Sequence, residues 1–252
     1  MEEIEPIDTY IYEEVNSTNS IASELAREAF KRPILVVANK QTAGRGRMGR
    51  HWYSPANSNI YMSLVLKLNA MVLYPELITL YSAVCVWQVI GETVKESLGH
   101  LWIKWPNDLY WEDKKLGGIL TESLYSAGKP EFFVIGIGLN VNSDKEEIQR
   151  QTDLVWTSLR AETARDYKRD SLIAGITGTI LKDLYLLSEP DRITKMWKER
   201  TRTIGARVKV ITGNYEFEGL AEDIDSKGHL IVRDAFSGDR VTISTADIVH
   251  IR

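Results

Sequence analysis

The amino-acid sequence predicts an α+β protein with a small all-β unit at its C-terminal end, and three observations predict it. Strand-like and helix-like segments intermix from Tyr10 to about Thr201. From about Ile204 the texture changes to period-two alternation broken by Gly213-Asn214, Lys227-Gly228 and Ser237-Gly238, enough for about five short strands in an SH3-like barrel. No sequence repeat and no low-complexity linker interrupts the chain. The natural division is a larger unit over 1–202 and a smaller one over 203–252.

Each element has a local reason. Tyr10–Val15 alternates weakly and reads as a first strand. Ser17, Thr18 and Asn19 are capping residues ahead of a helix in which Ile21, Leu25 and Phe30 fall near helical spacing. Pro33–Ala38 is a buried-strand run, whereas Asn59–Lys67 sets Ile60, Met62, Leu64 and Leu66 on one side, as in a half-buried strand. Pro75–Leu98 reads as the longest helix, with Gly99 just past its end as a C-terminal cap. Further strands are expected at Leu101–Trp105, Gly117–Tyr125 and Phe132–Val141, and helices at Ser171–Leu187 and Asp191–Thr201.

Composition narrows the function classes. A formal net charge of -4 and a sequence pI of 5.7 argue against a nucleic-acid partner, which needs an excess of Lys and Arg. Cys85 is the single cysteine and sits in an apolar run, so it reads as a buried thiol. The acidic N-terminus lacks the features of a signal peptide, and no apolar run approaches the roughly 18 residues of a membrane span. A cytoplasmic protein with no membrane partner is expected.

Three segments carry chemistry. In Lys40–Trp52, Gly44, Gly46 and Gly49 alternate with Arg45, Arg47 and Arg50, giving a flexible loop whose guanidinium groups can wrap an anion. It matches neither a Walker A loop nor the G-x-G-x-x-G fingerprint, and a solvated turn is the plain alternative. In Lys104–Leu120 a lysine ends a strand at Pro106, followed by Asn107 and Asp108 and a return to Lys115 before Gly117-Gly118. Those glycines allow either a ligand to approach the backbone or a bulged hairpin. In Gly136–Asn142, Gly136, Gly138 and Asn140 share one face, open to a flat ligand or to a crossing helix. His51, His100, His229 and His250 are scattered, and no zinc spacing exists. Positioning and electrostatic stabilisation therefore fit better than a side-chain nucleophile.

Taken together, Ser17-Thr18-Asn19, "QTAGRGR" at 41–47, Trp52, "KWPNDLY" at 104–110, "KLGGIL" at 115–120 and "GIGLNVN" at 136–142 resemble the biotin–protein ligases over nearly the whole chain. Met48 departs from a position where relatives often carry a basic residue. The resemblance implies a catalytic domain like that of class II aminoacyl-tRNA synthetases, a mixed sheet backed by helices. It implies two half-reactions: biotin and ATP give biotinyl-5'-AMP and pyrophosphate with Mg²⁺ assisting, then a lysine of a biotin carboxyl carrier protein displaces AMP.

By the same resemblance Ser17, Thr18, Asn19 and Gln41 would meet the ureido head of biotin. Gly44, Arg45, Gly46 and Arg47 would close the loop over it. Gly118, Leu120, Gly136 and Gly138 would wall its rings and chain. Lys115 would hold the biotin carboxylate. Arg45, Arg47 and Lys104 would neutralise phosphate oxygens, with Arg47, Lys104 and Lys115 in catalytic roles. Trp52, Asn107 and Asn140 would serve the nucleotide. Metal would reach the site with ATP. With sixteen residues ahead of Ser17, a monofunctional ligase without a DNA-binding domain is expected, and a homodimer remains open. Lipoate–protein ligases are the nearest rival, and a non-catalytic biotin-binding or nucleic-acid-binding regulator is the rival from another class.

Overall fold

The structure, a computed structural model, describes residues 6–68, 74–126, 129–144, 155–213 and 215–251. Seven strands form the larger sheet: β1 (Asp8–Val15), β2 (Ile34–Gln41), β3 (Ile60–Leu66), β4 (Leu101–Lys104), β5 (Asp108–Trp111), β6 (Lys114–Ser126) and β7 (Lys129–Leu139). Their order is β1-β2-β3-β7-β6-β5-β4, parallel between β1 and β2 and antiparallel elsewhere, so the sheet is mixed.

Helices cover its two faces unequally. On one face lies α2 (Leu77–Val94), apolar nearly all round because it is buried on both sides. It packs against β4, β5 and β6 below, with α4 (Arg169–Lys182) and α5 (Pro190–Lys198) on its other side. It is the one described helix long and apolar enough to cross a membrane, and 72% of it is buried inside the protein. On the other face α1 (Thr18–Ala29) presses Ala22 and Ala26 onto Ile34, Val36, Val65 and Val134. Small alanines let the helix sit close, and it covers only part of that face. The uncovered part is the site.

Several expectations are corrected. Strand β3 is buried along its whole length, not half-buried, because α1 and the segment around Pro55 cover its second face; the Tyr61 hydroxyl donates to Pro55 O at 2.9 Å. Helix α2 ends at Val94, where Lys95 takes a φ of 42° and donates to Gly91 O. Gly99 therefore lies in the following 3₁₀ turn, Lys95–His100, and does not cap the α-helix. The return after Pro106 is a full strand, β5, with a bulge at Leu109/Tyr110 against β6. A short helix, α3 (Leu159–Thr163), capped by the Ser158 hydroxyl, was not anticipated. Leu184–Ser188 is a 3₁₀ turn after α4, not a continuation of it.

The C-terminal strands are five: β8 (Arg207–Ile211), β9 (Glu216–Ile224), β10 (Leu230–Asp234), β11 (Arg240–Ile243) and β12 (Asp247–His250), in an antiparallel sheet of order β11-β10-β9-β8-β12. Their inward residues, among them Val208, Val210, Leu230, Val232 and Ile243, join the same apolar core as the larger sheet. Trp105 is the tether: its backbone N–H donates to Thr203 Oγ1 at 3.2 Å and its indole N–H to Gly228 O at 2.9 Å.

Candidate functional site

Strand alternation builds the floor of the site. Register places Ser63, Gly136 and Leu120 in one cross-strand row, and Tyr61, Gly138, Gly118 and Asp108 in the next. Glycines in both rows leave a depression beyond the N-terminus of α1. It opens into a cavity of about 490 Å³, roofed by the 45–52 loop and closed on one side by Ile211 and residues 246–249 of the smaller sheet.

One end of the cavity is polar, and most of its groups are neutral. Gln41 Oε1 accepts from the Thr18 N–H at 2.8 Å, and Gln41 Nε2 donates to Ser54 Oγ at 2.9 Å. Ser63 Oγ lies 2.8 Å from Thr18 Oγ1 and 2.6 Å from Asn19 Oδ1. Asn19 Nδ2 donates to Glu122 Oε2 at 2.7 Å. Gly136 exists to admit Asn19, since a Cβ there would lie 2.1 Å from Asn19 Oδ1. Of the two readings of this glycine, the crossing helix is therefore realised.

Aromatic rings fill the middle. A Cβ on Gly138 would fall 2.5 Å from the Trp52 ring, and one on Gly118 3.4 Å from it, so the indole lies on the glycine floor. Trp156 meets it edge-on at 4.8 Å between centroids. Lys115 Nζ stands 5.6 Å from the Trp52 ring and 5.3 Å from that of Trp156, and pairs with Asp108 Oδ1 at 2.7 Å. The bulged-hairpin reading holds as well for the Gly117 pair, as a Cβ on Gly117 would meet Gly138 O at 2.9 Å.

The far end is cationic. The loop folds back on itself, with Trp52 N–H donating to Gly44 O at 2.9 Å and Gly46 N–H to Arg50 O at 2.7 Å. Met48 and Gly49 take left-handed φ of 54° and 72° at its tip, which glycine at the second position eases. Its arginines are not equivalent. Arg45 pairs with Glu122 at 3.4 Å, and Arg50 pairs with Asp247. Arg47 contacts only neutral acceptors: Asn107 Oδ1 at 3.2 Å, Thr245 Oγ1 at 3.0 Å and Ala246 O at 3.2 Å. Lys104 stands over the Tyr110 ring at 5.1 Å. Among the described residues, neither Arg47 nor Lys104 is in an ion pair. Burial pushes both below their ordinary pKa, opposed chiefly by Asp108. Two desolvated cations without a carboxylate partner leave positive charge directed into the cavity, and an anion would relieve it.

Ser17, Thr18, Asn19, Gln41, Arg45, Gly46, Arg47, Trp52, Lys104, Asn107, Lys115, Gly118, Leu120, Gly136 and Gly138 all line this cavity. Two predicted residues do not. Gly44 serves the hairpin base, where a Cβ would lie 2.5 Å from Trp52 O. Asn140 is buried behind the wall and donates to Thr157 O at 2.9 Å, fixing the segment that carries Trp156. Sequence reasoning missed Ser63, Glu122, Trp156 and the 246–249 wall. Ser63 was findable as the one small polar side chain on an apolar strand, and Glu122 as the next same-face residue after Leu120. Trp156 and the smaller sheet's contribution had no signal in the sequence. The described residues bring no three His, Cys, Asp or Glu side chains together as a metal site.

A mixed sheet with a glycine floor, a polar head pocket and a cationic loop defines a class, and comparison with known proteins gives it a family. The sequence model described as Biotin/lipoate A/B protein ligase family matches residues 11–140, and that of the Biotin protein ligase C terminal domain matches 203–251. The chain belongs to the biotin/lipoate protein ligase family. Among its relatives, the Bifunctional ligase/repressor BirA of Bacillus subtilis is 35% identical over 225 residues, covering 88% of this chain and 68% of that protein. The Biotin--[acetyl-CoA-carboxylase] ligase of Mycobacterium tuberculosis is 30% identical over 244 residues, 95% of this chain and 87% of that one. In fold, the biotin protein ligase from Aquifex aeolicus in complex with biotin and ATP aligns with a TM-score of 0.81 over 97% of this chain and 99% of that chain, at 24% identity.

Proposed function

We propose that the protein is an ATP-dependent biotin–protein ligase, which forms biotinyl-5'-AMP and transfers biotin to a lysine of a biotin carboxyl carrier protein. The observation that carries this reading is the polarity of one cavity: hydrogen-bonding amides and hydroxyls at one end, buried cations without carboxylate partners at the other. A ureido group needs donors and acceptors that a closed site must not leave unpaired, whereas a polyphosphate needs charge. In this reading Thr18, Asn19 and Gln41, oriented by Ser63 and Glu122, hold the ureido ring. The Trp52 and Trp156 rings and the glycine floor exclude water around the thiophane ring and valeryl chain.

Lys115 then holds the biotin carboxylate, exchanging part of its attraction to Asp108 for it. One carboxylate oxygen attacks the ATP α-phosphorus in line, forming the mixed anhydride as the bond to pyrophosphate breaks. Arg47 and Lys104 neutralise charge that develops on the phosphate oxygens. Mg²⁺ bound to the nucleotide offsets further phosphate charge. The lysine amine of the carrier next attacks the anhydride carbonyl, and AMP leaves. Asn140 acts by fixing the Trp156 segment, and Asn107 by orienting Arg47. We assign the catalytic unit to 1–202 with a class II aminoacyl-tRNA synthetase-like sheet, the SH3-like unit to 203–252, and the protein to the cytoplasm, where ATP and carboxylases are found.

The test is ATP–pyrophosphate exchange with and without biotin, with lipoate in parallel. Biotin-dependent exchange is expected. Exchange with lipoate alone would overturn the head-pocket assignment, and no exchange with either from folded protein with Mg²⁺ would remove the enzyme reading.

A further inference from the structure

The loop that carries Arg47 has little to hold its tip. Its own hydrogen bonds fasten the base, at Gly44/Trp52 and Gly46/Arg50, while Arg47–Gly49 is a 3₁₀ turn with two left-handed residues at its end. Such a tip has several conformations of similar energy unless something outside it chooses one. Apart from Asn107 Oδ1, which accepts from Arg47 Nη1 at 3.2 Å, what reaches it comes from nearly two hundred residues further along the chain. The turn between β11 and β12 presents Thr245 Oγ1 and Ala246 O to Arg47 Nη2 at 3.0 and 3.2 Å, and Asp247, the first residue of β12, presents its carboxylate to both terminal nitrogens of Arg50.

We propose that this turn and the strand residue after it, Thr245–Asp247, form a latch that positions the arginine loop for adenylation, with Asp247 as its positioning residue. The inference rests on the ligase reading of the cavity. The division of labour follows from charge. Asp247 engages Arg50 with a bidentate, charge-assisted grip, which is geometrically specific. Arg47 receives only neutral oxygens from the same turn, so its direction is fixed while its charge stays available to a phosphate. If the turn held Arg47 with a carboxylate, it would compete with the substrate. The smaller sheet thereby acquires a role in catalysis without supplying a reacting group: Ile248 and Val249 from the strand following the turn complete the cavity wall, so loop and wall are set by one element.

The head pocket is independent of the latch, since no residue of the turn contacts Thr18, Asn19, Gln41 or Ser63 in the described hydrogen bonds. That separates the expected effects. Asp247→Asn should raise KM for ATP roughly tenfold in biotin-dependent pyrophosphate exchange and leave the Kd for biotin within about twofold. In the ligand-free protein, amide hydrogen exchange over residues 45–50 should quicken by a similar factor while the β8–β10 strands keep their protection. Thr245→Val should act in the same direction through Arg47 alone. The exchanged pair R50D with D247R should recover most of the KM lost by either single change, which a merely structural role for Asp247 would not give. Unchanged loop exchange and unchanged KM in Asp247→Asn would overturn the latch, as would a swapped pair no better than its singles. An inactive wild-type protein would instead refute the ligase reading, and the ligand-free exchange comparison would still decide the latch.

Discussion

Gly136→Ala tests how the head pocket is built. The added Cβ would lie 2.1 Å from Asn19 Oδ1 and 2.8 Å from Asn19 Cγ, so one of them has to move. The β7 backbone is paired on both sides, to β3 and β6, and resists shifting. Asn19 must leave instead, losing the hydrogen bond from Ser63 Oγ at 2.6 Å and its own to Glu122 at 2.7 Å. An ordinary hydrogen bond contributes about 1 kcal/mol net and one to a carboxylate about 1.5–3, so the loss is roughly 2–4 kcal/mol. In a chain of this size that lowers Tm by roughly 5–15 °C, to be read by thermal unfolding. Displacing the amide also removes at least one contact to the biotin head, weakening Kd about tenfold or more by titration calorimetry. The companion Asn19→Ala relieves the clash, so the double variant should lose clearly less stability than the sum of the singles, while biotin affinity stays low. A Gly136→Ala protein with wild-type Tm and wild-type biotin affinity would refute the reasoning about this floor.

Further outcomes follow from other parts of the site. Lys115→Met should slow adenylate formation by roughly 10²–10³-fold in single-turnover assays, and lower stability by roughly 1–3 kcal/mol, because it leaves the mostly buried Asp108 carboxylate without its partner. Arg47→Ala should impair formation and retention of the adenylate to a similar extent, and unchanged values would take the loop out of the mechanism. Burial, with Lys104 nearby, lowers the His250 pKa from 6.5 to about 4. The unfolded chain therefore binds this proton at higher pH than the folded one, and stability falls as pH drops from 6.5 towards about 4, levelling below. His250→Gln should flatten that segment of a Tm-against-pH curve. The buried Cys85 thiol, pushed up to about 12 by desolvation, should resist iodoacetamide in the native protein and react once it unfolds.

Much of the fold was legible because it is written in local periodicity. The alternation in β3 and β7 and the turn glycines of the smaller sheet set element type from neighbours a few residues apart. So was much of the site: Arg45, Arg47, Lys104, Lys115, Gly118, Gly136 and Gly138 are unusual choices in their settings, and all line one cavity. Element ends were less legible. Where α2 stops depends on Lys95 and on the start of β4, not on the Gly99 signal.

What the sequence could not determine was which distant groups meet. That Gly136 makes room for Asn19, that Trp156 closes on Trp52, and that Asp247 takes Arg50 while leaving Arg47 its charge are consequences of packing across about 100 residues or more in each case. By itself the sequence determined the residue types for anion binding and the periods of the strands, since these are local chemistry and local geometry. Only the tertiary structure decided which cation goes unpaired. That property belongs to the distances between chain segments, and it is those distances, through desolvation and Coulomb attraction, that make one arginine of three the one left for a phosphate.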